Sequence, residues 1–329
     1  MRLAEPFRIS RGTQTLAQNI LVTIRDGDIF GVGECAPKSY YGETVGSAMA
    51  AIATLTPHIT TAPLYIDDID QQMEQILRFN PSVKAAINSA LLDLLGKRLG
   101  APLYTLWGLN PLRAPQTSIT VPLNTPAEMA RRSAQLQNWP ILKIKVGAEN
   151  DLEIIQAVRA AAPNALLRVD ANAAWTVSQA VTMCEKFAKY NIELVEQPIP
   201  PGNNAGLRYI REHSPIPIFA DESCVTIQDI PALAEAVDGI NIKLMKCGGL
   251  SHAVKMIHTA HALHMQVMLG CMIESSLAIT AMAHAAPLAD KIDLDGALLL
   301  AEDPFKGCVI QQGTLNLPDK PGLGVVQYT

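Results

Sequence analysis

The sequence predicts an α/β protein: a modified (β/α)7β barrel of TIM type, with an α+β capping domain built from the N-terminal region and the C-terminal tail. Three observations predict it. From Thr117 onward, short apolar runs alternate with helical stretches of about 12 to 16 residues, the rhythm of βα units. Eight such runs follow one another, which favours a closed barrel over an open doubly wound sheet. Residues before about 115 lack the rhythm and read as a separate α+β unit.

In that first unit (1–115), residues 18–24 and 29–34 read as strands flanking Arg25-Asp26-Gly27-Asp28, a hairpin-turn signal. The strongest helix spans 83–99 and is closed by Gly100 and Pro102. The barrel unit (116–304) has its strands at 118–121, 141–146, 166–170, 192–196, 216–221, 239–243, 266–271 and 292–295. Their unbroken apolar character suits a parallel sheet covered on its outer face. No eighth helix follows the last run. The tail (305–329) carries Gly313, Pro318, Pro321, Gly322 and Gly324 and is expected to return to the first unit.

The 329 residues are 49% hydrophobic, enough to bury a large core. A net charge of −5, with 17% charged residues and no basic run, argues against nucleic acid and against a polybasic membrane surface. No apolar stretch reaches the roughly 18 residues of a membrane span, and the N-terminus lacks a secretory pattern, so a cytoplasmic location is expected. The six cysteines form no Cys-x-x-Cys pair and read as core fillers.

On such barrels the chemistry sits at the carboxyl ends of the strands. Those ends carry Lys143 and Lys145, then Asp170, Glu196 and Asp221, then Lys243, and finally Asp293 and Asp295. Any one of these charges alone reads as a strand end meeting solvent. Three carboxylates on three adjacent strands repel one another, however, and call for a cation. Hard oxygen donors without His or Cys suit Mg²⁺, or Mn²⁺. Strands two and six lie four apart in an eight-strand ring, so Lys145 and Lys243 face each other across the mouth. That is the arrangement for removing a proton from one face of a carbon and returning it to the other. A free lysine titrates near 10.4; Lys143 and the metal are expected to lower Lys145. Asp293 and Asp295 share a strand face by the period of two and suggest a cationic substrate group. A dipeptide, at roughly 3.5 Å per residue, spans the about 7 Å from the metal to an ammonium site there.

These residues resemble the enolase superfamily, in its muconate-lactonizing-enzyme subgroup. The marks are Leu142-Lys143-Ile144-Lys145-Val146-Gly147, Val169-Asp170-Ala171-Asn172 with Trp175, Glu196-Gln197-Pro198, Ala220-Asp221-Glu222-Ser223, and Asn241-Ile242-Lys243-Leu244 before Gly248-Gly249. Residues 90–108 of the first unit are similar too. Leu269-Gly270-Cys271-Met272 with Asp293-Leu294-Asp295-Gly296 resembles the dipeptide epimerases, and most of all L-Ala-D/L-Glu epimerases. The resemblance implies epimerisation of the C-terminal residue through a metal-stabilised enolate. It also implies binding of the dipeptide's ammonium by the Asp-x-Asp pair, and murein-peptide metabolism if the substrate is Ala-Glu. Lys143 and Arg11 are the further candidates for substrate contact, and Asn172 and Glu222 for support of the ligands. Homo-oligomers are usual in such a family.

Two departures from the family bear on specificity. The chain begins close to Pro6-Phe7, so a shortened first strand is expected, followed by a loop, 8–16, closing over the substrate. Arg8 and Arg11 stand in that loop, while Gln14 takes a place where an arginine is expected.

Other signals carry less. His252, His258, His261 and His264 read as a solvated or packed face outside the barrel. Gly31-Val32-Gly33 reads as sheet geometry, and Glu274-Ser275 as a helix cap. The rival functions are cycloisomerisation or an o-succinylbenzoate-synthase-type elimination on the same scaffold, a Schiff-base aldolase, and a non-catalytic binding descendant of the fold.

Overall fold

The computed structural model describes residues 1–62 and 64–328. Its centre is one sheet of eight parallel strands arranged in sequence order. They are Ile119–Val121, Ile141–Lys145, Leu166–Asp170, Ile192–Glu196, Ile218–Ala220, Gly239–Lys243, Gln266–Gly270 and Lys291–Asp293. A parallel bridge from Thr117 to Ile292 joins the two ends of the sheet into a barrel.

Every apolar run became a strand. The fifth is shorter than expected because Pro217, which has no N–H to donate, keeps the ladder from starting before Ile218. The eighth ends at Asp293 rather than Asp295. Asp295 has turned to φ −96°, ψ 2° and leads a 3-10 turn over Gly296–Leu299. The shared strand face expected for the two aspartates is therefore absent at Asp295.

The connecting helices are shorter than the expected 12 to 16 residues, with Leu250–Ala262 alone in that range. The helix after the fifth strand covers only Ile230–Leu233. The reason lies in where the helices start. Thr125, Thr176, Asn203 and Ser275 cap them several residues beyond the strand ends, and the residues between form the loops of the barrel mouth. Beneath the mouth, Leu194, Phe219 and Met268 fill the barrel interior. The floor is closed by Arg168 and Lys291, which hold the two oxygens of Glu193 at 2.6 and 2.8 Å.

In the first unit, Ile20–Asp26 pairs antiparallel with Ile29–Cys35, and the helix Pro81–Leu99 lies against that hairpin. Gly31 and Gly33 allow the close approach. A Cβ at either would sit 1.9 or 2.0 Å from the carbonyl oxygen of Ala90 or Ala86. The tail reaches the same helix: Leu323 N donates to Asp93 at 2.8 Å, and Leu103 N donates to Gly322 O at 3.0 Å. Gly322 has φ +71°, and a side chain there would meet Asp93 Oδ1 at 2.2 Å.

The first strand is not shortened. It runs Arg2–Ile9, with its register interrupted between Arg2 and Phe7, where Pro6 interrupts the ladder. Nor is 8–16 a loop. Gly12–Leu16 folds back as a second strand, making a two-stranded arm whose tip is Ser10-Arg11. Among the described residues, no helix is long and apolar enough to cross a membrane.

Candidate active site

A cavity of about 520 Å³ opens at the carboxyl ends of the barrel strands, roofed by the arm and by the 38–41 segment of the capping unit. Lys143, Lys145, Asp221, Lys243, Asp293 and Asp295 all border it, from strands two, five, six and eight. Asp170 and Glu196 lie beneath, fully buried. Strand register sets this order, with Lys145 opposite Asp170 and Asp170 opposite Glu196.

The charges alternate. Lys145 Nζ lies 2.6 Å from Asp170 Oδ2, and Lys243 Nζ lies 2.7 Å from Asp221 Oδ2. Lys143 Nζ sits among three carboxylates, 2.7 Å from Asp293 Oδ2, 2.7 Å from Glu196 Oε2 and 3.2 Å from Asp170 Oδ2. Burial alone would lift Asp170 and Asp221, but their lysines outweigh it and hold both below the usual carboxylate range. Burial would likewise lower Lys243, yet Asp221 carries it above its ordinary value. Glu196 goes the other way: burial and the charge of Asp170 push it up to about 7.

Among the described residues, no three of His, Cys, Asp and Glu already stand in coordination geometry, and Asp170 and Asp221 are each paired with an ammonium group. The donor set nevertheless suits a hard divalent cation. It offers three hard oxygen donors on adjacent strands, and Glu196 Oε2 accepts no well-directed hydrogen bond although Lys143 is within reach. Asp170, Glu196 and Asp221 would hold such an ion.

Asp293 and Asp295 do come together at the cavity, by different routes. Asp293 Oδ1 accepts from Ser118 Oγ at 2.6 Å, and its other oxygen accepts from Lys143. Asp295 reaches in from its turn and accepts from Thr120 N at 2.7 Å. Burial and Asp293 raise Asp295 to about 6. Arg11 lines the cavity too, but it is committed elsewhere, donating to Asn172 O at 2.6 Å and to Glu222 Oε1 at 2.7 Å. Asn172 and Glu222 thus join the arm to the loops after strands three and five.

Sequence reasoning missed several residues of this centre. Lys246 Nζ is 2.6 Å from Asp221 Oδ1, giving that carboxylate two ammonium partners. Its signal was a second lysine three residues after Lys243, one helical turn on. Gln197, at φ +37°, accepts from the backbone N–H groups of both Asp221 and Ser223 at 3.0 Å and so shapes the strand-five loop. Asn241 Nδ2 donates to Glu196 Oε1 at 2.7 Å. Ser275 caps Ser276–Ala283 as expected. Glu274 instead turns inward, where its carboxylate accepts from Met272 N.

The chain is similar to known proteins over nearly its whole length. Residues 1–108 match the family model of the mandelate racemase / muconate lactonizing enzyme N-terminal domain, and residues 126–327 match that of the enolase C-terminal domain-like family. The L-Ala-D/L-Glu epimerase of Bacteroides thetaiotaomicron is 37% identical, over 99% of this chain and 86% of that protein. The crystal structure of the dipeptide epimerase of Cytophaga hutchinsonii with Mg and D-Ala-L-Val matches with a TM-score of 0.95 and 36% identity, covering 99% of this chain and 93% of that one. That of Enterococcus faecalis with Mg and L-Leu-L-Tyr matches with a TM-score of 0.95 and 35% identity, covering 100% and 97%. Fold, relatives and family models agree: the chain belongs to the mandelate racemase / muconate lactonizing enzyme family of the enolase superfamily.

Proposed function

We propose that this protein is a Mg²⁺-dependent dipeptide epimerase, an isomerase that inverts the α-carbon of a dipeptide's C-terminal residue. The observation that carries the reading is the placement of Lys145 and Lys243. They end strands two and six of an eight-strand ring and border one cavity. One lysine, as the free amine, takes the α-proton. The other, as an ammonium, gives a proton to the opposite face of the same carbon. A divalent cation on Asp170, Glu196 and Asp221 would supply positive charge to the substrate carboxylate and offset the charge that develops as the proton leaves.

The chain's other residues orient the substrate. Lys143 is already held by three carboxylates and presents a fixed positive charge beside Lys145. Among the described residues Asp295 makes no ion pair, and with Asp293 it offers the receiving site for the substrate's ammonium. Cycloisomerisation and elimination of ammonium-free acids leave that carboxylate without a role, which favours epimerisation. Dipeptide epimerases among the relatives support the same reading. The test is incubation of L-Ala-L-Xaa dipeptides in D₂O with Mg²⁺. A one-mass-unit gain and appearance of the second diastereomer are expected, with loss of both on EDTA treatment. Exchange that persists in a Lys145→Ala, Lys243→Ala double variant would refute the two bases.

A further inference from the structure

Among the described residues, one cation lining the cavity stands outside its ion pairs. Lys38 follows the strand Ile29–Cys35 in the capping unit and borders the cavity beside the arm. Its Nζ donates to Gln14 Oε1 at 3.0 Å, and Gln14 Nε2 is itself anchored on Leu16 O at 2.7 Å. The other cations lining the cavity are committed to carboxylates. Arg11 is on Glu222 and lies over the Tyr40 ring at 4.2 Å, while Lys143, Lys145 and Lys243 are on their aspartates. Among the described residues, Lys38 alone of these five has a neutral partner and no ion pair.

Burial holds the Lys38 ammonium below the ordinary lysine value, with Glu274 pulling it up and Lys243 pushing it down. A charge in that state gains from an added anion more than a solvated surface lysine does. Its neighbour Lys243 is one of the two proposed bases. Lys38 and Lys243 border the same cavity, so a substrate carbon held at Lys243 lies in the space this part of the roof covers. The same cavity is bordered by Asp295, which among the described residues makes no ion pair. Once the metal ligands and bases are assigned and the Arg11–Glu222 and Lys143–Asp293 pairs are set aside, the described lining retains Asp295 and Lys38 for the substrate.

We infer that Lys38, oriented by Gln14, is the specificity-determining residue of the cavity and receives an anionic side chain on the C-terminal residue of the dipeptide. The inference rests on the epimerase reading above. It takes the side-chain contact away from Arg11, whose guanidinium is spent on joining the arm to Asn172 and Glu222.

The test compares L-Ala-L-Glu with its uncharged isostere L-Ala-L-Gln, reading kcat/KM from deuterium incorporation in the Mg²⁺-loaded protein. The wild type is expected to prefer the glutamate substrate. Lys38→Met is expected to shrink the Glu-to-Gln ratio by about tenfold or more, and Lys38→Arg to retain it. Lys38→Glu is expected to shift preference toward L-Ala-L-Lys. A wild type that epimerises dipeptides with a ratio unchanged by Lys38→Met overturns the role of Lys38 and leaves the epimerase reading standing. A wild type that exchanges no dipeptide overturns both.

Discussion

At the floor of the barrel Arg168, Glu193 and Lys291 form a closed set, whereas at the mouth the charges remain open. On the floor both Glu193 oxygens are taken, and Arg168 Nη1 donates onward to Ile292 O at 2.6 Å. At the mouth Glu222 Oε2 and Asn172 Oδ1 are buried without a hydrogen-bond partner, and Glu196 Oε2 has only the ammonium of Lys143 beside it, without hydrogen-bond geometry. The two carboxylates accordingly move in opposite directions. Burial would raise Glu193, but Arg168 and Lys291 bring it below its ordinary value, while Glu196 rises to about 7. Strands three, four and eight contribute charged residues to both ends. A network in which every group is satisfied stabilises the barrel; one left incomplete is ready for a ligand.

That contrast is open to test from both ends. The largest effect is expected at the mouth: with Mg²⁺ bound to offset the carboxylates, Lys145→Ala or Lys243→Ala should slow epimerisation by about 10²- to 10⁴-fold while lowering the melting temperature less than a floor substitution does. Comparable loss of stability in those variants would make the lysines structural and erase the distinction. Arg168→Met should do the reverse. It takes one of two cations from the partly buried Glu193 and leaves Lys291 in place, costs about 2 to 3 kcal/mol of stability by denaturant titration, and leaves turnover of the folded fraction near the wild-type value.

Titration should separate the ends further. Glu274, beside Glu34 near the mouth, is raised by burial and by Glu34 from the usual 4.5 to about 7. Between those values the native state holds more protons than the unfolded one, so this group lowers stability as pH rises from about 4.5 to 7. The expected cost is about 3 kcal/mol, absent in Glu274→Gln. Glu193, depressed in the fold, contributes the opposite slope: its stabilisation is present above its unfolded pKa and is lost as pH falls through its folded value. Parallel pH profiles for the two ends would refute the contrast. The smallest effect is that of the metal. Mg²⁺ at about ten times its Kd should add about 1.4 kcal/mol to the wild type. An equal gain in Glu196→Gln would remove Glu196 from the ligand set.

Much of this was legible in the sequence because a parallel barrel writes itself as buried apolar runs. Leu166–Asp170, Ile192–Glu196 and Gly239–Lys243 lie where those runs lie, and each ends on a residue of the mouth. What was illegible came from chain that leaves the ladder. Asp295 enters the cavity from a turn, Lys246 from a four-residue helix, and Gln197 through a left-handed backbone that no periodicity announces. Lys38 and the arm come from another unit, and only tertiary packing sets them over the strands. The expected loop at 8–16 failed for a related reason: its alternation is weak, and the pairing of Phe7 with Gln14 supplies the order.

The contact between Leu323 and Asp93 has a consequence in time. The helix Pro81–Leu99 is complete early in synthesis, but the N–H that caps its buried carboxylate lies 230 residues later. At about 5 to 20 residues per second, the nascent capping unit waits roughly 10 to 50 s for the segment that finishes it. By then the whole barrel has emerged, so the cap closes on an already formed mouth.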